Sequence, residues 1–154
     1  MDFITPTAIV TQLLVFYVNI AGSANVPDAK QVECLAQHVY HEAGNQPAIG
    51  KRASAHVVLN IMKKMKNPKT ICKTVKKKKC AKKKANWYKY AHKGCTATFT
   101  WSWDGKPDTI HLYDKKKRFN MTIYNSYYIG AAEAMLAIAG VSVDPTHGAT
   151  HYYN

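Results

Sequence analysis

Acidic side chains are scarce in this 154-residue chain: nine Asp and Glu stand against 22 Lys and Arg, for a formal net charge of +13. None of the nine falls between Lys63 and Lys93, a stretch that carries 14 Lys. Basic residues are missing from the other end. No Lys or Arg precedes Lys30, and no charged residue of either sign occurs from Phe3 to Pro27. Cysteine is limited to Cys34, Cys72, Cys80 and Cys95, at spacings that match no standard zinc pattern. Internal repeats are absent, which excludes solenoids and propellers. The apolar fraction is 47%, so the chain is long and apolar enough to bury a core, and global disorder is excluded.

The Lys-rich run reads either as a solvated face or as a surface attracted to a polyanion such as teichoic acid, lipopolysaccharide or anionic lipid. No zinc finger or RNA-binding sheet signature accompanies it, and nucleic acid is not an expected partner. Cys34 reads as a small core residue. Cys72, Cys80 and Cys95 bracket the run, where a disulfide closing it would need an oxidising compartment. The uncharged residues 1–27 contain the apolar core Ala8–Gly22. It resembles a signal-peptide core but lacks a basic leader. Thr11, Gln12 and Asn19 make it a poor permanent span. A membrane anchor, a helix docked on a virion partner and an ordinary packed helix all remain open for it.

Residues 28–154 read as one helix-dominated α+β domain with a small β-hairpin. Asp28–Gly44 has Val32, Leu35, Ala36, Val39, Tyr40 and Ala43 at three- and four-residue spacing, with Asp28 as cap and Gly44 as a left-handed stop. Pro47–Met65 predicts an antiparallel second helix ended by Asn67-Pro68, and Thr70–Val75 a shorter element. Thr96–Trp103 alternates and predicts a strand, which Asp104-Gly105-Lys106-Pro107 would turn into a second strand over Thr109–Tyr113. The last helix is predicted over Ser126–Ala139, capped by Ser126 and stopped by Gly140.

Glu42 stands out in this layout. It falls in the last turn of its helix, where the negative end of the dipole disfavours the ionised carboxylate, and partial burial would raise its pKa further. A carboxylic acid poised near neutrality is what proton donation requires. A solvated helix-end glutamate would look the same in sequence.

Three ordered segments bear on that choice. ECLAQHVYHEAGNQPAIGKRASAHVVLNIM, then Cys95 with FTWSWDGKPD, then DPTHGATHYYN together resemble the SleB/CwlJ family of bacterial and phage cell-wall hydrolases. The likeness runs from about Gln31 to Asn154, with residues at about 63–93 resembling an insertion. It implies a lysozyme-like catalytic domain acting on the glycan strand of peptidoglycan, with Glu42 at the family's E-A-x-(G/E) position. The family's further acidic residue is missing at Gln46, which leaves Glu42 as the one strong catalytic candidate. Around it the resemblance places Thr100 and Trp101, with Thr150, His151 and Tyr152 from the last segment, as sugar-binding and aromatic-wall residues. Asn60 is a weaker addition that a buried amide bonded to backbone would explain equally well. The implied setting is a bacterial cell envelope or periplasm, or a phage virion.

Glycosidic cleavage needs protonation of the leaving oxygen and stabilisation of an oxocarbenium-like transition state. A two-carboxylate muramidase would draw its second acid from Asp104, Asp108, Asp114, Glu133 or Asp144. Turn or capping roles compete at Asp104, Asp108 and Asp144, and a surface position is expected for Glu133. A lytic transglycosylase needs one glutamate alone, and the resemblance favours it. It calls for no cofactor. The rival is a zinc amidase using His38, His41, His147 and His151, but His38-Val-Tyr-His41-Glu42 is not an HExxH arrangement and no third ligand is apparent, so no metal is expected. A non-catalytic envelope-binding module with a degenerate hydrolase fold is the alternative outside enzymology.

Overall fold

Helix signals written locally into the chain set most of the architecture. The computed structural model describes residues 3–65, 70–76, 78–80, 95–97, 99, 101 and 109–151. Helix α1 (Pro6–Ala21) begins where the Thr5 side chain accepts the Ala8 N–H and Pro6 takes a position whose amide has no helical partner. Helix α2 (Ala29–Ala43) begins at Asp28, whose carboxylate accepts the Gln31 N–H at 3.0 Å. Helix α3 (Ala48–Lys63) follows with Pro47 as its cap, and α4 (Ile71–Val75) opens on the Thr70 hydroxyl. These four match the expected layout to within about two residues, the usual scatter of helix ends. Asn67-Pro68 lies outside the described residues.

The last helix departs from expectation. α5 (Met121–Ile138) starts five residues before Ser126, because the Asn120 side chain accepts the Ile123 N–H at 3.1 Å and caps there. Ser126 is therefore not a cap. Its hydroxyl donates to the Gly44 carbonyl oxygen at 2.7 Å and ties α5 to the end of α2. The stop at Gly140 is as expected, at φ 74°, a left-handed conformation that glycine adopts without strain.

The expected hairpin is replaced by a different pairing. Strand β1 (Lys78–Cys80) pairs antiparallel with β2 (Cys95–Ala97), the register setting Cys80 opposite Cys95. Within Thr96–Trp103, Thr98, Thr100, Ser102 and Trp103 lie outside the described residues, as do residues 104–108, and Trp101 sits in a helical turn. Residues 109–113 form no strand. Tyr113 makes one isolated bridge to Phe119, closing a tight loop that Asp114 braces by accepting the Lys116 and Arg118 N–H groups.

One core joins the helices. Val32, Leu35, Ala36 and Val39 of α2 pack with Ala55 and Val58 of α3, Val75 of α4 and Tyr127, Ala131 and Ala134 of α5. Ile9, Val10 and Leu13 of α1 belong to the same cluster, so residues 6–21 pack as part of this domain. Gly130 on α5 permits the close approach to α2, since a Cβ there would come within 3.1 Å of Val39.

Two expectations are corrected inside this core. Cys34 is buried, but it is not a free core thiol: it is bonded to Cys72, with Cα atoms 5.1 Å apart, because α2 and α4 face each other there. That bridge fastens α4 to α2. Glu133 is not on the surface. It is 7% exposed and pairs with Arg52 of α3 through bonds of 3.0 and 3.3 Å, which satisfies a carboxylate that burial would otherwise penalise.

Candidate active site

Glu42 emerges at the last turn of α2, half-buried, on the wall of a pocket of about 640 Å³. Tyr40, His41, Gly44 and Asn45 line it from α2 and its following turn, and Thr122, Ile123 and Ser126 from the first turns of α5. Desolvation by burial pushes the Glu42 carboxyl above its ordinary value.

The helix end carries a counter-charge. The buried Lys51 ammonium donates to the carbonyl oxygens of Gly44, at 3.2 Å, and of Gln46. A cation there offsets the negative end of the helix dipole. Burial in turn lowers the Lys51 pKa, so this cap is held at a cost in solvation.

Gly44 is not a left-handed stop either. Its φ is −59°, in the right-handed helical region. The need for glycine is steric: an added Cβ would lie 2.4 Å from the Tyr40 carbonyl oxygen and 3.4 Å from the Ser126 hydroxyl. The turn after Glu42 is thus packed against the preceding turn of α2 and held to α5 by the Ser126 hydroxyl.

The carboxylates divide sharply. Six of the nine are described, and five of these have structural partners. Asp28 caps α2, Glu33 accepts the Thr7 hydroxyl, Asp114 pairs with Arg118 and Glu133 with Arg52. Asp144 accepts from Asn60, from the Thr146 hydroxyl and backbone, and from the Gly148 backbone. Burial alone would raise Asp144, but these bonds together hold its carboxyl well below the usual carboxylate range. Glu42 is the described carboxylate with neither hydrogen bond nor ion pair, and it faces a pocket. Asp104 and Asp108 lie outside the described residues.

An aromatic block stands beside Glu42. The His41 ring stacks on Trp101, with centroids 4.8 Å apart and planes 14° from parallel. Trp101 is buried and donates its indole N–H to Nδ1 of His38 at 3.1 Å. His38 is fully buried and meets Phe99 at 4.2 Å. Burial first, and the charge of His41 second, push the His38 pKa down to about 3, so it is a neutral acceptor at physiological pH. The structure thus brings Trp101 to the Glu42 helix through His41. Among the described residues, no group of three His, Cys, Asp or Glu side chains is placed to hold a metal ion.

The remaining expected residues fall elsewhere or out of view. Thr100 and Tyr152 lie outside the described residues. Asn60, on α3, is buried and donates its amide to Asp144 at 2.8 Å and to the Ala149 carbonyl oxygen at 3.0 Å. It pins the C-terminal segment, in which the Thr150 hydroxyl and His151 Nδ1 are 3.0 Å apart. Asn60, Thr150 and His151 are not among the described residues lining the Glu42 pocket. Sequence reasoning missed Thr122 and Ser126. Their signal was present, since Asn120 caps a helix on which they stand four residues apart and share one face.

The arrangement is that of a helical domain with, among the described residues, one unpartnered and half-buried carboxyl group in a pocket. Residues 45–154 match the family described as Cell Wall Hydrolase, and the chain belongs to that family, whose members degrade cell wall. The matched span begins three residues after Glu42, at the pocket-lining Asn45. No curated protein and no solved structure matches the chain.

Proposed function

We propose that this chain cleaves the glycan strand of peptidoglycan between MurNAc and GlcNAc as a lytic transglycosylase, using Glu42 as acid and then as base. The observation that carries the reading is the isolation of Glu42: a half-buried carboxyl group with no partner among the described residues, its pKa raised by burial, lining a pocket of about 640 Å³. Protonated Glu42 donates to the glycosidic oxygen that departs with GlcNAc. The resulting carboxylate takes the proton of the MurNAc C6 hydroxyl as that oxygen attacks C1. The product is a 1,6-anhydro ring, no water is consumed, and Glu42 ends protonated again. A single carboxylate suffices, consistent with the engagement of the other described acids.

In this reading the domain is lysozyme-like, and the hydroxyls of Thr122 and Ser126 with the Asn45 amide bond the sugar. The Trp101–His41 stack supports an aromatic wall. Thr100, Thr150, His151 and Tyr152 are further sugar contacts in this reading, and Asn60 holds the segment that leads to Thr150 and His151. The site of action is a bacterial envelope, and the lysines concentrate the enzyme on anionic envelope polymers.

The test is digestion of purified peptidoglycan followed by mass spectrometry. Anhydromuramyl ends are expected. Reducing muramyl ends would make the enzyme a hydrolytic muramidase, free stem peptides an amidase, and an unchanged sacculus a binding module. Glu42→Gln is expected to lower the rate by about 10²–10⁴-fold or more while leaving the fold intact. A native rate from that variant overturns the assignment.

A further inference from the structure

Helix α1 packs on the domain through its first half and runs on bare beyond it. Ile9, Val10 and Leu13 are buried in the core, whereas Val15, Phe16 and Ile20 are exposed, Ile20 at 88%. The exposed polar neighbours Thr11, Gln12 and Asn19 are all neutral, and no charge occurs from Phe3 to Pro27. A surface helix ordinarily carries charges on its outer face. This one has none.

The start of the same helix is tied to a loop of opposite character. The Phe3 ring meets Tyr113 edge-on at 4.7 Å, and the Ile4 N–H donates to the Tyr113 hydroxyl at 3.1 Å. Tyr113 opens the loop that its bridge to Phe119 closes. Lys115, Lys116 and Lys117 are exposed within it. Asp114 is already paired with Arg118 at 2.7 Å, so the three lysines are uncompensated inside the loop. Exposed apolar residues flank it: Phe3 and Ile4 by contact through Tyr113, and Phe119 and Met121 in sequence.

From this placement we infer that α1 and the 113–121 loop form a docking surface for an anionic phospholipid bilayer, with the helix lying in the interface. Both halves of the surface call for that partner. The bare second half of the helix, with Val15, Phe16 and Ile20 exposed, needs an apolar phase, which a soluble polyanion does not offer. The lysines need anionic groups, which a second copy does not offer, since two chains of net charge +13 repel. An anionic lipid surface supplies an acyl boundary beneath a layer of phosphates. The helix lies in that boundary because its 16 residues span only about 24 Å, short of the roughly 30 Å hydrocarbon core. No described helix is long and apolar enough to cross a membrane. The surface shares no residue with the Glu42 pocket.

The test is co-sedimentation of the full chain with phosphatidylglycerol–phosphatidylethanolamine vesicles, against phosphatidylcholine vesicles. It is run at low salt and at roughly 0.5 M salt, where charge attraction is screened within a few ångströms. Binding to the anionic vesicles is expected, with a part that survives high salt. Val15→Ser, Phe16→Ser and Ile20→Ser together alter no charge and no buried residue, and are expected to weaken binding about tenfold and to remove the salt-resistant part. Lys115→Ser, Lys116→Ser and Lys117→Ser together are expected to weaken it about a hundredfold at low salt. Circular dichroism checks that both variants keep the fold. Three results overturn the inference: no binding to anionic vesicles, native binding by the apolar variant, or a dimer of the native chain that the apolar variant disperses.

Discussion

Burying the Glu42 carboxyl penalises the folded state whenever that group is ionised. Its folded pKa lies above its unfolded value, so the native state holds the proton more tightly than the unfolded chain does. Below the unfolded pKa of about 4.3 both states are protonated and the group costs nothing, whereas stability falls as pH rises through the folded pKa. Glu42→Gln removes that penalty while keeping the shape. The variant is expected to melt higher than the native protein at pH 7, with the difference closing by about pH 4. Thermal unfolding of both proteins across that pH interval measures this, and a difference that does not vary with pH would contradict it. Asp144 behaves oppositely, because its stabilising bonds are lost as acid protonates it, so both proteins weaken together in acid. At this scale Glu42 was legible from its place in the periodic pattern, but its reason was not. The dipole argument singled out this residue, but it did not show that Lys51 occupies the helix end or that burial raises the carboxyl. A lysine nine positions later gives no sequence sign that it folds back onto the carbonyls of Gly44 and Gln46.

Where local chemistry decides an element, the sequence predicted it: Asp28, Thr70 and Gly140 set helix ends as their side chains and backbone freedom dictate. Tertiary contacts decided the rest. Ser126 looked like a cap because caps and cross-helix donors use the same hydroxyl, and only the approach of Gly44 tells them apart. The pairing of Lys78–Cys80 with Cys95–Ala97 is non-local, and alternation in one strand does not name its partner. The α2–α4 bridge was hidden for the same reason. Cys34–Cys72 closes a separation of 38 residues, for which loop closure in the unfolded chain predicts about 3–4 kcal/mol of stabilisation. Replacing both cysteines with Ala is expected to lower stability by roughly that amount, measured by denaturant unfolding. A loss below about 1 kcal/mol would show that the unfolded chain is already restrained there.

Charge is the property of the whole molecule that its internal contacts leave unused. Only two ion pairs occur among the described residues, Arg52 with Glu133 and Arg118 with Asp114, against a net charge of +13. So large an excess does little for folding, where self-repulsion opposes compactness, and acts instead on encounter with partners. Attraction of this kind is long-ranged at low ionic strength and screened within about 8 Å at physiological salt. The rate on intact walls bearing teichoic acid is therefore expected to fall about tenfold or more between low and high salt, through KM rather than kcat. Walls stripped of teichoic acid should show a shallower dependence, because the phosphate charge has been removed while the glycan remains. Turnover at saturating substrate should change little, since the step proposed for Glu42 is local to its pocket and does not depend on long-range attraction. Equal salt slopes on intact and stripped walls would instead locate the salt effect in the chemistry or in the fold, and would leave the lysines without a role in bringing the enzyme to its substrate.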